Sequence, residues 1–137
     1  MAFTFSPLIG IAGAAILGGA IGVQRQAAAK PAGFRTHLLV ATASAAFTAM
    51  GAHLHDTRIP SYVVVGIGFL GAGAILKLDR EREIQGLTTA AGIWMTAAIG
   101  IAVGLGSLGV ALLSTVFTLV ILALAGLLDR DQQTQND

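Results

Sequence analysis

Three glycines and three carboxylates are the first residues in this chain whose spacing suggests chemistry. Gly66, Gly68 and Gly71 follow the hydrophobic run Tyr62–Val65 as G-x-G-x-x-G, and Asp79, Glu81 and Glu83 come after them. That order matches the dinucleotide-binding fingerprint: a strand, a tight glycine turn, and a helix whose N-terminus holds a pyrophosphate. The fingerprint counts only inside a strand–helix–strand unit. Here a long apolar tract lies on each side, and the charged stretch Lys77–Glu83 begins soon after the last glycine. A nucleotide is therefore not the expected ligand. The glycines read instead as positions where another helix comes close.

His53, His55 and Asp56, in "HLHDTR" (53–58), are residue types that ligate metals. Two histidines two residues apart do not share a helix face, and no full ligand spacing accompanies them. The expectation is no metal site and a solvated cap in which Asp56 pairs with Arg58. If Asp56 turned into an apolar core, burial would raise its pKa and make it a proton or cation handle. Thr88 and Thr89 form a hydroxyl pair able to bond their own helix backbone or a partner. The chain has no cysteine, which removes disulfides and thiolate metal sites. With no nucleophile elbow and no intramembrane carboxylate pair, no catalytic residue and no cofactor are expected.

These residues must be positioned by membrane helices. The chain is 55% hydrophobic and 11% charged, against about 25% charged in soluble domains. The charges are clustered: none lies in 1–24, 36–55, 59–76 or 84–128. A bilayer crossing takes about 20 apolar residues, so the first three tracts fit one helix each. The fourth fits two, broken at "GLGSLG" (104–109). The expected fold is all-α, with five transmembrane helices at about 5–24, 36–54, 60–77, 87–104 and 108–128. Residues 129–137 would be a polar, disordered cytoplasmic tail. The first tract has no basic n-region before Arg25, so it reads as a retained helix and not a cleaved signal. A net charge of +1 offers no footprint for nucleic acid.

Basic residues set orientation. Arg25, Lys30, Arg35, Lys77, Arg80, Arg82 and Arg130 fall on one side of five spans, and Arg58 alone on the other. The N-terminus should face out and the C-terminus should face the cytoplasm. Arg25, Lys30 and Arg35 would then line the cytoplasmic face, as lipid anchors or a docking surface.

Helices in lipid associate through close packing at small residues. Gly10, Ala14, Gly18 and Gly22 make one stripe, and Thr88, Gly92, Thr96, Gly100 and Gly104 another. Gly68, Gly71 and Ala72 add a third small surface. Helices 1, 3 and 4 are expected at the centre and helix 5 at the edge. Gly18, Gly22, Gly68, Gly71, Gly92 and Gly100 are the expected packing positions. Trp94, well inside helix 4, would need a bundle acceptor for its indole N–H. The expected core contains neither acid nor base.

The segments "GAIGVQRQ" (19–26), "KPAGFRTH" (30–37), "DTRIPSYVVVGIGFLGAGAIL" (56–76) and "GLTTAAGIWMTAAIGIAVGLG" (86–106) occur in this order. The combination resembles the MgtC/SapB family of bacterial inner-membrane proteins over about residues 10–106. The resemblance implies five helices with the N-terminus out, and links to low-magnesium growth, acid tolerance and survival in macrophages. It also implies a non-catalytic regulator acting on a membrane partner such as ATP synthase. The functional positions it carries over are Arg25, Arg35, Thr36, His37, Asp56, Arg58, Thr88 and Thr89. Two departures stand out: Gln24 and Gln26 are amides where the family often has acids, and Tyr62 stands where it often has glutamine. The soluble C-terminal domain of some members is not expected here.

Three readings follow: a membrane regulator, a small ion or proton transporter or channel working as an oligomer, and a structural homodimer joined through its small-residue stripes. The first is preferred, with the lipid bilayer and a further copy of the chain, most simply a dimer, as accompanying partners.

Overall fold

The computed structural model describes residues 6–76 and 86–134. They form five helices: α1 Pro7–Ala27, α2 Phe34–His53, α3 Ile59–Leu76, α4 Leu87–Gly104 and α5 Leu108–Thr134. Their ends lie close to the expected ones because charged and turn residues delimit the apolar tracts. Only α5 differs by more than three residues, its backbone staying helical to Thr134, through most of the expected tail. The stretch Lys77–Glu83, with Asp79, Glu81 and Glu83, lies outside the described residues.

Three helices stop in the same way. Lys30 N donates to Arg25 O, Asp56 N to Gly51 O, and Ser107 N to Ala102 O. In each case the residue before the donor has positive φ: Ala29 at 53°, His55 at 57° and Gly106 at 76°. This is the Schellman ending, which satisfies carbonyls left open at a helix C-terminus. At α4's other end Gly86 has φ 92°, and a Cβ there would lie 2.6 Å from Ala74 O. Glycine is needed there on both counts.

The centre is α1, α2 and α4, which corrects the expected centre of helices 1, 3 and 4. Both glycine stripes converge on α2. A Cβ at Gly18 would lie 2.5 Å from Ala41 Cβ and 2.6 Å from His37 O, and one at Gly22 would lie 2.6 Å from Phe34 Cα. A Cβ at Gly100 would collide with Ala41 O, and one at Gly104 would lie 2.7 Å from Ala45 O. Ala41 is fully buried between the two stripes. Its neighbours also fix direction. Contacts of α2 and α4 rise together along both chains, so these helices are parallel, and α1 runs opposite to both. Ala14, Ile21, Ala45 and Ile99 complete the sealed core.

Helix α3 lies at the periphery. Among its described side chains only Ile67 and Gly71 are buried. Gly71 touches Ala90 of α4, while a Cβ at Gly66, Gly68 or Gly73 would meet nothing within 4 Å. Gly68 is therefore not a packing position within the chain: α3 turns its Ile67–Gly71 side to α4, and Gly68 points away. An apolar groove of about 500 Å³ runs between α2 and α3, past Val40, Phe47, Tyr62, Ile67 and Leu70. Helix α5 sits at the edge, as expected, with Leu113, Phe117, Ile121 and Leu124 exposed.

Among the described residues, α1, α4 and α5 are long and apolar enough to cross a bilayer, and Ile59–Ile75 is a shorter apolar helix. Helix α2 does not meet that measure because it carries Arg35, His37, Ser44 and several threonines. Its central position explains them: His37, Ser44 and Thr48 are buried in protein, and polar side chains in membrane helices face the bundle.

Gly18→Ala should lower stability in detergent by about 1–3 kcal/mol through overpacking against α2. Gly68→Ala should leave stability unchanged or raise it by up to about 1 kcal/mol through helix propensity. Thermal unfolding of the two variants checks this, and equal effects would contradict the packing.

Candidate functional site

Arg25 closes the face of α1 that holds Gly18 and Gly22. Residues four and seven apart share a helix face, so Arg25 follows the glycines inward. It is 3% exposed, which corrects its expected place on the cytoplasmic surface. Its Nη2 donates to Thr89 Oγ1 at 3.2 Å. Antiparallel packing of α1 on α4 sets the last turn of one beside the first turn of the other. The guanidinium Nε is buried without a partner. The sole ion pair among the described residues is Arg58–Asp56, at the other end of α2.

His37 lies between α1 and α4 and is fully buried. Its Nδ1 is 2.7 Å from Thr96 Oγ1, and the Thr96 hydroxyl donates to Gly92 O at 2.8 Å. The threonine oxygen and the ring nitrogen thus share one hydrogen bond, its direction set by the ring's tautomer. Nε2 is buried without a partner. The ring needs the space left by Gly92, where a Cβ would stand 3.5 Å from His37 Cε1. Gly92 thus makes room for a side chain as well as for a helix.

Ser44 and Thr48 extend this polar line along α2, both buried. Beyond His37 the line is closed by contact. A Cβ at Gly100 would lie 2.8 Å from Ser44 Cβ, and one at Gly104 would lie 2.7 Å from Thr48 Cβ. No room for a hydrated ion remains between α2 and α4 at these levels.

The structure gathers Arg25, His37 and Thr89 and disperses the other expected positions. Arg35 and Thr88 are exposed, and Thr36 is half-buried. Asp56 sits in the α2–α3 connection, where Arg58 Nε and Nη2 donate to its two carboxylate oxygens at 3.0 Å each. Arg58's side chain, and then its backbone N–H, hold the Asp56 carboxyl below its usual value. His53 and His55 are exposed, and no cluster of metal-ligating side chains occurs among the described residues. Trp94 is 50% exposed, so its indole faces outward and not into the bundle. The expected absence of a base from the core is corrected by Arg25 and His37. A spacing signal existed for both: Arg25 falls seven residues after Gly18, and His37, Ala41, Ser44 and Thr48 recur at helical spacing.

Thr89→Val should cost about 1–3 kcal/mol by leaving a buried cation without its acceptor, and Thr89→Ser should restore most of it. Chemical denaturation in detergent measures both. The Asp56–Arg58 pair contributes stability at pH values above the ordinary carboxylate range and loses it as pH falls through the lowered Asp56 pKa. A carboxyl NMR titration should place Asp56 below a free aspartate, and Arg58→Ala should raise it part of the way back, since the backbone N–H at 58 still donates to the carboxylate.

The profile of the MgtC family matches residues 11–130, which takes in the Arg25–His37–Thr89 cluster and parts of all five helices. A protein named putative magnesium transporter YhiD, from Escherichia coli (strain K12), is 44% identical over 121 residues, covering 80% of this chain and 55% of the relative. Protein MgtC of Brucella abortus (strain 2308) is 42% identical over 118 residues, covering 83% and 49%. Protein SrpB of Synechococcus elongatus is 39% identical over 126 residues, covering 80% and 69%. The chain spans about half the length of the first two relatives. No solved structure matches it. With most of each helix and the whole buried cluster inside the matched region, the chain belongs to the MgtC family.

Proposed function

We propose that this protein is a non-catalytic regulator in the bacterial inner membrane, with five spans, its N-terminus out and the Arg25 end at the cytoplasm. The observation that carries this reading is the closed seam at Ala41, Gly100 and Gly104. A seam without space for a hydrated ion at these levels suits a protein that acts through its surface. Arg35, at the Arg25 end, is exposed for docking, and α3 and α5 offer apolar faces to a neighbour in the bilayer. The partner proposed, from the family resemblance, is another membrane complex such as ATP synthase, engaged under magnesium limitation or acid stress. The exposed Gly66, Gly68 and Gly73 of α3 support self-association, most simply as a dimer.

A second reading is a small ion or proton transporter working as an oligomer. The buried line Arg25, His37, Ser44 and Thr48 favours it, as does the transporter name carried by the Escherichia coli relative. In that case conduction requires α2 and α4 to separate.

Crosslinking in native membranes followed by mass spectrometry tests the first reading. A reproducible complex with ATP synthase or another membrane protein, weakened by Arg35→Glu, is the expected result. Recovery of the protein alone, together with proteoliposome cation or proton flux that His37→Phe abolishes, would replace it with the second.

A further inference from the structure

The groove between α2 and α3 is apolar along its length. Among its described lining residues only Ser44 and Tyr62 carry a side-chain oxygen. Its floor is Val40 and Ile67, which share one buried cluster with Ile93 and Ala97 of α4. One wall is a ridge of α2 on which Arg35, Leu39, Ala43 and Phe47 follow one another at spacings of four, and all four are exposed. The other wall is α3, at Ile59, Val63, Gly66 and Leu70.

The groove has one closed end. A Cβ at Gly51 would lie 2.9 Å from Ile59 Cβ, so α2 and α3 meet there. Further along they part, and α3 turns to α4: Gly71 touches Ala90, and Gly86 lies against Ala74. The groove therefore opens toward the first turn of α2. Arg35 stands at that mouth, one turn or about 6 Å beyond Leu39. No carboxylate pairs with it among the described residues.

These features select the occupant. A helix of a neighbouring protein would cross the whole bilayer, whereas the groove stops at the contact of Gly51 with Ile59. From Arg35 to Phe47 the wall is about 18 Å long, close to one leaflet's share, about 15 Å, of the hydrocarbon core. A lipid chain fits that depth, and Arg35 fits the phosphate at its head, because a guanidinium is a fork of donors matched to phosphate. We propose that the α2–α3 groove is a lipid site that takes one acyl chain of an anionic phospholipid, with the lipid phosphate on Arg35. The inference rests on the chain's place in the bilayer and not on the regulator reading.

The test is native mass spectrometry of the purified, delipidated full chain in detergent, titrated with phosphatidylglycerol, with phosphatidylcholine and with glycerol phosphate. No partner protein is present, so failure here leaves the regulator reading standing. One phosphatidylglycerol per chain should be retained saturably, about tenfold or more tightly than phosphatidylcholine, whose ammonium offsets the phosphate. Glycerol phosphate, a headgroup without chains, should not be retained. Arg35→Gln should erase the preference for phosphatidylglycerol, and Arg35→Lys should keep part of it. Gly66→Phe should weaken both phospholipids about tenfold by filling the groove. A Cβ at Gly66 meets nothing within 4 Å, so the helix contacts remain. Ala43→Leu narrows the opposite wall and should act in the same direction should the phenylalanine variant not fold.

The proposal is overturned if the two phospholipids bind alike, or if Arg35→Gln leaves their ratio unchanged. Glycerol phosphate bound as tightly as phosphatidylglycerol would assign Arg35 to free phosphate and overturn it too. So would unchanged lipid retention in both Gly66→Phe and Ala43→Leu. The same spectra read the oligomer: a dimer that persists without lipid and that Gly66→Phe splits would place a second copy in the groove in the lipid's stead.

Discussion

The structure depends on the contact of three helix backbones around Ala41. In lipid there is no hydrophobic force to drive one apolar helix onto another, so association depends on how closely the backbones approach. Gly18 on one side and Gly100 on the other remove every side-chain atom that would hold α1 and α4 away from α2. The remaining architecture follows. Antiparallel packing sets Arg25 beside Thr89, and parallel packing sets His37 beside Thr96. Helices α3 and α5 attach to this unit chiefly through α4 and remain largely exposed.

Close packing also explains how a guanidinium and an imidazole come to lie in an apolar protein. A residue on the contact face of a tightly packed helix is buried whatever its polarity. Arg25 shares its face with Gly18 and Gly22, and His37 shares its face with Ala41, Ser44 and Thr48. Each then requires a hydrogen-bonding partner, because a bare polar group in such a place is costly. Thr89 and Thr96 supply one bond each, and both come from α4. The four side chains pin the register of α4 against α1 and α2, while Arg25 Nε and His37 Nε2 stay buried without partners.

Much of the fold was legible in the sequence because charge breaks the apolar tracts. The span expected at 87–104 coincides with α4, and the other helix starts fall within two residues of expectation. The division between centre and edge was less legible. Glycine content pointed to α3, yet three of its glycines face open space, because a glycine without an opposing backbone signals nothing about packing. Polar content marked α2 as the less apolar helix, and that was the more telling sign: in a membrane bundle the polar residues identify the interior. The resemblance carried Arg25, His37 and Thr89 over as functional positions. That they cluster could not be read from the residues alone, since it depends on which helices are parallel.

The claim on which the account rests is that the α2–α4 seam is closed and dry above a buried cationic site. The chain has no native cysteine, so a single Ser44→Cys thiol reports on the seam directly, with the exposed Ser107→Cys as reference. Labelling with a small charged thiol reagent in native membranes measures access. The account predicts that the thiol at 44 reacts only after denaturation, while the thiol at 107 reacts at once. Labelling at 44 at a rate comparable to 107 in the folded protein would show a water-filled path through the core and contradict it.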